Sequence, residues 1–163
     1  MLKKINLRTG NLADSQFILS LLNQASFLEH IGDKNVTTVK DAELYIQTTF
    51  INSHKQQGFG AYVITLDSGQ AIGMAGLFQR YALAIPDIGF ALLSEYQGQG
   101  YVTQALHRLF EMPEVKQFPS LAGITAEANF ASQRVLTKHG FQAVGRIIIN
   151  NDQSAVKLFW KRQ

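Results

Sequence analysis

Two glycines between a strand-like run and a helical pattern are the residues of this 163-residue chain best placed to bind a ligand. Residues 88–93 are apolar, as in a buried strand, and apolar residues recur at helical spacing over 102–110. Gly98 and Gly100 lie at this junction, where they permit positive φ and let a ligand approach the backbone closely. Because the first N–H groups of a helix lack intrahelical partners and carry partial positive charge, the pattern predicts either a phosphate site or a plain turn.

The familiar nucleotide motifs do not occur at this turn. No Gly-Lys-Ser/Thr follows Gly100, so the lysine and the magnesium-binding hydroxyl of a P-loop are missing. The three-glycine spacing of a dinucleotide-binding turn is also missing, and the turn lies in the middle of the chain. If the turn binds phosphate, its ligand belongs to another class.

Length and composition indicate one globular domain that covers residues 1–163. A chain of this length can bury one sizeable core but not two, and its 46% hydrophobic and 17% charged residues are typical of a soluble protein. No signal-peptide core follows Met1, and no apolar run reaches membrane-spanning length. We therefore expect a cytoplasmic protein without a membrane partner, either a monomer or a homodimer.

Charge and cysteine content limit the chemistry further. The net charge of +3 comes without a dense run of Lys or Arg, so nucleic-acid binding is possible but unsupported, and the same charge suits an anionic small ligand. Charge alone does not separate the two, and a basic nucleic-acid-binding domain stays open as a rival. There is no cysteine, so disulfides, cysteine–metal sites and a thiol nucleophile are excluded. We expect no metal, and any acyl transfer has to be direct or to use another nucleophile.

Periodicity and turn residues predict the element order βααβββαβαββ. Strands are expected over 2–9, 61–66, 71–78, 87–93, 121–125, 141–149 and 155–160. Four helices are expected, from Asn11 or Asp14 to about residue 25 and over 38–55, 99–111 and 129–139, and an additional short helix near 27–31 is left open. This order predicts an α/β (α+β) fold, in which a mixed, mostly antiparallel sheet of about seven strands has about four helices on both faces.

The glycine turn also carries a family resemblance. Gln97-x-x-Gly100-x-Val102 resembles the acyl-CoA signature Arg/Gln-x-x-Gly-x-Gly/Ala of the GNAT superfamily of N-acetyltransferases. Val102 departs from the last position of that signature. The predicted element order resembles the GNAT fold over nearly the whole chain.

A second motif, about thirty residues later, resembles one branch of this superfamily. Asn129-x-x-Ser132, followed by His139-Gly140-Phe141, is similar to the Asn-x-x-Ser helix start and Lys-x-Gly-Phe of the ribosomal-protein-acetylating, RimJ/RimL-like branch. By themselves, Asn129 and Ser132 also fit an ordinary helix cap.

The resemblance implies a binding site for acetyl-CoA made largely of backbone. The strand before the turn would bind the pantetheine arm through Phe90, Ala91 and Leu92. The pyrophosphate would lie on the turn, at Gln97, Gly98, Gln99, Gly100, Tyr101, Val102 and Thr103. The amide of Asn129 would reach the coenzyme, and Ser132 would lie near the departing sulfur, where its hydroxyl could protonate the thiolate or instead donate to its own helix.

The candidates for the acceptor side are fewer. A backbone N–H of the 90–92 strand edge could stabilise the oxyanion. Members of the branch often carry Glu where this chain has Val144, which leaves open whether a side-chain base exists. The first candidate is Asp87, which shares strand parity with Ala91 and could face the acceptor cleft or instead be an ordinary solvated or capping residue. Glu127 and Glu95 are weaker candidates. The resemblance places Glu29 and His30 along the acceptor, although exposed carboxylates and histidines are more often solvated or capping residues.

These observations together predict an acetyl-CoA-dependent N-acetyltransferase that moves acetyl directly to a primary amine. The branch resemblance implies the α-amine of a protein or peptide N-terminus as the acceptor, slightly ahead of a small amine. It also implies that residues 27–39 and 147–154 line the acceptor, and neither stretch has the acidic cluster that a polyamine or aminoglycoside would need; Asp33 and Asp152 are isolated. The alternative is a non-catalytic acyl-CoA sensor or scaffold of the same fold.

Overall fold

The structure is a computed structural model that describes residues 4–149 and 154–163. The predicted first two residues of the first strand, the turn of the closing hairpin and Asp152 lie outside the described residues. The seven strands are β1 (Ile5–Thr9), β2 (Ala61–Leu66), β3 (Ala71–Phe78), β4 (Asp87–Leu92), β5 (Ser120–Thr125), β6 (Gln142–Ile148) and β7 (Ala155–Arg162).

All seven strands form one sheet in the order β1-β2-β3-β4-β5-β7-β6. Every neighbouring pair is antiparallel except β4 and β5, which run parallel. The last strand therefore lies between β5 and β6, and β6 forms an edge of the sheet. The predicted fold class is confirmed.

The parallel pair is short, and this opens the sheet in its middle. β4 and β5 are paired only at Asp87↔Ala122 and Ile88↔Gly123. From Gly89 to Leu92, β4 is paired with β3 on one side, whereas no described strand pairs with it on the other. The N–H and C=O groups on that open side have to find partners elsewhere, which makes this edge a ready template for an extended ligand.

Helices flank both faces of the sheet. They are α1 (Ser15–Asn23), α2 (Ala25–His30), α3 (Val39–Ile46), α4 (Ser53–Gln57), α5 (Tyr101–Glu111), α6 (Pro113–Lys116) and α7 (Phe130–Lys138). Short 3-10 turns precede α1 and α5, and a π-helical segment (Gln47–Asn52) joins α3 to α4. The helix predicted over 38–55 is thus continuous, but its middle is wider than an ideal α-helix.

Local signals in the sequence explain where several helices begin and end. Thr38 and Asp41 form a reciprocal capping box at the start of α3. Asn129 caps α7 through its side chain. After α7, Gly140 has a φ of +84°, the left-handed conformation that ends a helix and that glycine adopts without strain.

Alternating residues of the central strands feed two hydrophobic cores. Val63 faces the core beneath α1 and α3, which contains Ile18 and Ile46, whereas Ile64 faces the core beneath α5. β4 likewise contributes Ile88 and Leu92 to the core beneath α5 and Ala91 to the other core, so both of its faces are packed. No helix in the described ranges is long and apolar enough to cross a membrane.

Candidate functional site

Two cavities open where β4 and β5 separate. The first, here called the glycine-turn cavity, has a volume of about 430 Å³ and reaches from the β4 edge to the start of α5. The second, the Asp87 cavity, has a volume of about 320 Å³ and lies toward the beginning of β4. Both are lined by Phe90, Ala91, Asn129 and Ser132, together with part of α2. The two cavities therefore meet at the open strand edge.

The floor of the glycine-turn cavity is built from backbone. Gly98 and Gly100 have φ angles of +71° and +82°, which side-chain-bearing residues rarely adopt. Gly100 is the N-cap residue of α5 and, as a glycine, supplies no side-chain capping hydrogen bond to that helix. The positive end of the helix dipole and its first N–H groups are thus left for a ligand, so these residues fit an anionic group such as a pyrophosphate.

Two glutamine side chains hold the end of β4 in place. The Gln24 Nε2 donates to the Leu92 carbonyl at 2.6 Å, and its Oε1 accepts from the Ser94 N–H at 3.0 Å. The Gln97 Nε2 donates to the same carbonyl at 3.1 Å and to the Ser26 Oγ at 3.3 Å. These bonds tie the turn before α2 to the glycine turn. Of these two glutamines only Gln97 was predicted to have a role, since no local pattern singles out Gln24.

Most residues predicted for the coenzyme lie in the glycine-turn cavity. Phe90, Ala91, Leu92, Gln97, Gly98, Gly100, Tyr101, Val102, Thr103, Asn129 and Ser132 all line it. Gln99 does not, because its side chain turns back to donate to the Glu95 carbonyl at 2.7 Å. The structure thus brings together eleven of the twelve predicted positions.

The charge of the glycine-turn cavity is contributed by α7. Arg134 and Lys138 line the cavity, and of its described lining residues none is acidic. These two cations were missed in the sequence, although their spacing of four residues places them on one face of a helix. A positively charged wall next to an uncapped helix N-terminus suits a ligand with several phosphates.

At the start of α7, Asn129 caps the helix, whereas the Ser132 hydroxyl takes no part in the cap. The Asn129 Oδ1 accepts from the Ser132 N–H at 3.1 Å, so the cap is supplied by the asparagine. The Ser132 Oγ makes no hydrogen bond to any residue in the described ranges, and the same holds for the Asn129 Nδ2. The alternative in which the Ser132 hydroxyl donates to its own helix is therefore not the arrangement observed, and both polar groups are free to meet a ligand.

Asp87 lies at the bottom of the Asp87 cavity, where it is fully buried. Its Oδ1 accepts from the Arg80 Nε at 2.8 Å, whereas its Oδ2 has no hydrogen-bond partner among the described residues. Burial raises the pKa of Asp87, although the Arg80 charge acts in the opposite direction. The Thr125 Oγ1 is likewise buried and unpartnered in the part of the chain that the structure describes, and it lines the same cavity. Such orphaned polar atoms are typical of a site that awaits a polar ligand.

The mouth of the Asp87 cavity carries a second cation. Lys34 is exposed to solvent but stands over the concave opening, where the surrounding protein atoms and the nearby Arg80 charge lower the pKa of its ammonium. Tyr45 lines the same cavity, and burial raises the pKa of its hydroxyl to about 12, so that it remains a proton donor. Neither Lys34, Arg80 nor Thr125 was predicted, since they come from three distant segments of the chain.

The structure separates the two predicted acceptor residues of α2. His30 lines both cavities. Glu29 lines neither, and its side chain is 71% exposed with its carboxylate 4.0 Å from the His30 Nε2. Successive helical residues point about 100° apart, so only one of two neighbours can face the cleft. Glu29 is therefore not brought to the site.

Val144, which stands where the branch often carries Glu, lies outside the site. It lies on the edge strand β6, at a register shift between Ala143 and Gly145, and is 55% exposed. It lines neither cavity. A carboxylate at this position would point into solvent rather than toward the β4 edge. In the described ranges, no cluster of three or more His, Asp or Glu side chains could hold a metal ion.

The model of the acetyltransferase (GNAT) domain matches residues 4–142 of the chain. The chain thus belongs to the GNAT acetyltransferase family. This confirms the predicted enzyme class, an acetyl-CoA-dependent N-acetyltransferase, and its co-substrate.

Several solved acetyltransferase structures share the fold of this chain. The chain is similar to an acetyltransferase from Salmonella typhimurium that modifies the N-terminal serine of a 50S ribosomal subunit protein (TM-score 0.79, 20% identity, 98% of this chain and 95% of that chain). It is also similar to the microcin C7 self-immunity acetyltransferase in complex with acetyl-CoA and AMP (TM-score 0.82, 18% identity, 98% of this chain and 93% of that chain). A third similar structure is an aminoglycoside acetyltransferase in complex with coenzyme A (TM-score 0.74, 18% identity, 98% of this chain and 95% of that chain). The TM-scores show that the fold is shared, and the first similarity agrees with the predicted branch. A search of curated proteins found no match.

Proposed function

We propose that this enzyme transfers the acetyl group of acetyl-CoA directly to the α-amine of a protein or peptide N-terminus, in preference to a small-molecule amine. The observation that carries the proposal is the meeting of the two cavities at Phe90, Ala91 and Ser132. A carrier in one cavity and an amine in the other would come into contact there without an intermediate on the protein. The chain has no cysteine to form a thioester intermediate.

The glycine-turn cavity would hold the coenzyme. The uncapped start of α5 supplies N–H groups for the pyrophosphate, and Arg134 and Lys138 supply positive charge. The open side of β4 offers N–H and C=O groups to the amide-containing pantetheine arm, as a neighbouring strand would. When bound there, acetyl-CoA supplies the acetyl group and a thiolate leaving group.

Residues at the junction would lower the barrier for the transfer. As the amine nitrogen forms its bond to the acetyl carbon, a backbone N–H of the 90–92 edge stabilises the developing oxyanion. The Ser132 hydroxyl, which has no other hydrogen-bond partner in the described ranges, donates to the sulfur as the carbon–sulfur bond breaks. Because both reactants are held in place, positioning supplies a large share of the rate.

Asp87 would take the proton that the amine loses. Strands rise about 3.3 Å per residue, so Asp87 lies roughly 10 Å along β4 from Phe90, too far for direct contact with the reacting amine. Its unpartnered Oδ2 points to proton transfer through water in the Asp87 cavity. Burial raises the pKa of Asp87, which makes it a stronger base once it is ionised.

The acceptor class is supported by the acetyltransferase from Salmonella typhimurium, which modifies a protein N-terminus. An aminoglycoside acceptor is less suited to this chain, because the Asp87 cavity has one carboxylate against the two cations Lys34 and Arg80 among its described lining residues. A cytoplasmic location and a single domain over 1–163 stay predictions, as does the choice between monomer and homodimer.

The test is release of coenzyme A thiol from acetyl-CoA in the presence of short N-terminal peptides and, separately, of small amines. We expect release with at least one peptide, and mass spectrometry should place one acetyl group on its α-amine. Release with small amines alone would overturn the proposed acceptor. Binding of acetyl-CoA without release for any amine would favour the alternative, a non-catalytic sensor, for which the bulky Val102 in the glycine-turn cavity is the supporting observation.

A further inference from the structure

The Asp87 cavity is unusual for an amine site because its charge is positive. Its described lining residues include Lys34 and Arg80 but only one carboxylate, Asp87. That carboxylate is already neutralised by its hydrogen-bonded ion pair with Arg80. A cationic acceptor would therefore meet net repulsion, although an amine that also carries a negative group would not.

Arg80 retains most of its hydrogen-bonding capacity. Only its Nε donates to Asp87, whereas the Nη1 and Nη2 atoms make no hydrogen bond to any residue within 4–149 or 154–163. The pair with Asp87 fixes the plane of the guanidinium, and the side chain is 33% exposed. A guanidinium held in this way presents a fork of N–H donors that matches a carboxylate or phosphate group.

Lys34 completes the recognition surface from the opposite wall. It follows α2 in the chain, and it makes no hydrogen bond or ion pair to any described residue. Lys34, Arg80 and Asp87 all line the Asp87 cavity. Burial and the Arg80 charge lower the pKa of Lys34, whereas the Asp87 charge raises it. Two cations and one carboxylate leave the cavity with a net positive charge. The arrangement is thus suited to an anionic ligand.

We propose that Lys34 and Arg80 bind an anionic group of the acceptor, so that the enzyme selects amines that also carry a carboxylate or phosphate. This inference rests on the proposed function and names the acceptor class for the same site. Arg80 stands beside Asp87 and the junction lies roughly 10 Å along β4, so the anionic group is several bonds from the amine. An acidic side chain at the second position of an N-terminal peptide meets this requirement.

The test compares amines that differ only in charge. The pairs are Ser-Glu-NH2 with Ser-Gln-NH2, 4-aminobutyrate with 4-aminobutyramide, and phosphoethanolamine with ethanolamine, each at saturating acetyl-CoA. We expect the anionic member of at least one pair to have a kcat/KM about tenfold higher, mainly through KM, because a charge-assisted contact to a held guanidinium is of that strength. A preference in the peptide or aminobutyrate pair would identify the anionic group as a carboxylate, and a preference in the phosphoethanolamine pair would identify it as a phosphate.

A variant links the preference to these residues. Lys34→Gln should lower kcat/KM for the preferred anionic amine roughly fivefold, as expected for loss of an exposed ion pair. The ratio of kcat/KM between the anionic amine and its neutral counterpart should become smaller. Lys40→Gln removes an exposed lysine that lines neither cavity and should leave the ratio unchanged. Arg80→Lys retains the charge but loses the fork, and it should narrow the ratio as well.

The possible failures are distinct. Equal or higher kcat/KM for the neutral members would overturn the inference while the proposed acetyl transfer stands. An unchanged ratio in both Lys34→Gln and Arg80→Lys would do the same, because the preference would then come from elsewhere. Absence of thiol release with every amine would overturn the proposed function and, with it, this inference.

Discussion

The two cavities that meet at β4 are built from different materials. The glycine-turn cavity uses backbone: an unpaired strand edge, two glycines with positive φ and the start of α5. The Asp87 cavity uses side chains, namely Asp87, Arg80, Lys34 and the hydroxyl of Thr125. A backbone site depends on the conformation of one segment, whereas a side-chain site depends on how several segments come together.

This difference accounts for what each cavity can do. Backbone donors cannot be changed by substitution without changing the fold, so they suit a co-substrate that stays the same. Side chains can be exchanged one at a time, so they suit an acceptor that differs between enzymes of one fold. We therefore expect variants in the glycine-turn cavity to alter coenzyme binding, and variants in the Asp87 cavity to alter turnover and acceptor choice.

The largest effect is expected at Gly100. Gly100→Val places a branched side chain at a φ of +82° and over the N–H groups of α5, so acetyl-CoA affinity should fall about 300-fold through lost charge-assisted hydrogen bonds. The measurement is calorimetric titration with acetyl-CoA. Gly69→Val is the matched control, since Gly69 has a φ of +87° in the β2–β3 turn and lines neither cavity. If both variants bind acetyl-CoA as the natural chain does, the pyrophosphate does not lie on this turn.

The next largest effect is expected at Asp87. Asp87→Asn should lower kcat about 100-fold, the usual size of a general-base contribution, with little change in acetyl-CoA affinity. Since Asp87 has to be ionised to accept a proton, activity should fall as the pH drops through its pKa, which burial raises above the ordinary 3.8. The variant should lose this acidic limb of the pH–rate profile. A full limb in Asp87→Asn would show that another group titrates.

Asp14→Asn is the matched control for Asp87→Asn. Asp14 is also buried and paired with an arginine, Arg8, with an Nη1–Oδ2 distance of 2.8 Å, but it lines neither cavity. Burial alone would raise its pKa, but Arg8 and the Asn11 N–H hold the pKa below its ordinary 3.8. Its contribution to stability is thus present at neutral pH and is lost as the pH falls below 3.8. The control should lower the melting temperature and leave kcat unchanged.

A smaller effect is expected at the junction of the cavities. Ser132→Ala should lower kcat about tenfold while acetyl-CoA affinity stays the same, because the hydroxyl stabilises the leaving sulfur only during transfer. Steady-state kinetics and calorimetry on one preparation give both values. Ser20→Ala, which removes an exposed hydroxyl outside both cavities, is the control. Unchanged kcat in Ser132→Ala would remove this residue from the mechanism.

The smallest effect is expected at Val144. Val144→Glu restores the residue type that the branch often carries, but the side chain points into solvent from an edge strand. An exposed substitution of this kind should change kcat/KM less than about twofold. A tenfold gain in kcat would show that the β6 edge approaches the acceptor during turnover.

The sequence predicted the glycine-turn cavity far better than the Asp87 cavity, for a physical reason. Gly98, Gly100, Asn129 and Ser132 act through local conformation, and local conformation is encoded by neighbours in the chain. Lys34 and Arg80 become a pair only when the loop after α2 and the loop before β4 fold together. The one local signal for this cavity is the pair of opposite charges at Arg80 and Asp87, seven residues apart, and of these two residues only Asp87 was predicted to lie in the site.

The same reasoning separates the correct from the incomplete predictions of the fold. Strands, caps and the closing hairpin follow from alternation and turn residues, so their positions agree with the structure within a few residues. The π-helical segment over Gln47–Asn52 was not predicted, because no Gly, Pro or other local breaker marks it in the sequence. Glu29 was placed in the cleft by analogy, although the rotation of α2 directs it outward.

Calorimetric titration of the purified chain with acetyl-CoA tests the central claim most directly, because the backbone of the glycine turn is preformed before any acceptor binds. We expect saturable binding at one site per chain, with affinity that falls as salt screens the positive wall of the cavity. Absence of binding would contradict the assignment of the glycine-turn cavity, on which the roles of Ser132 and Asp87 depend.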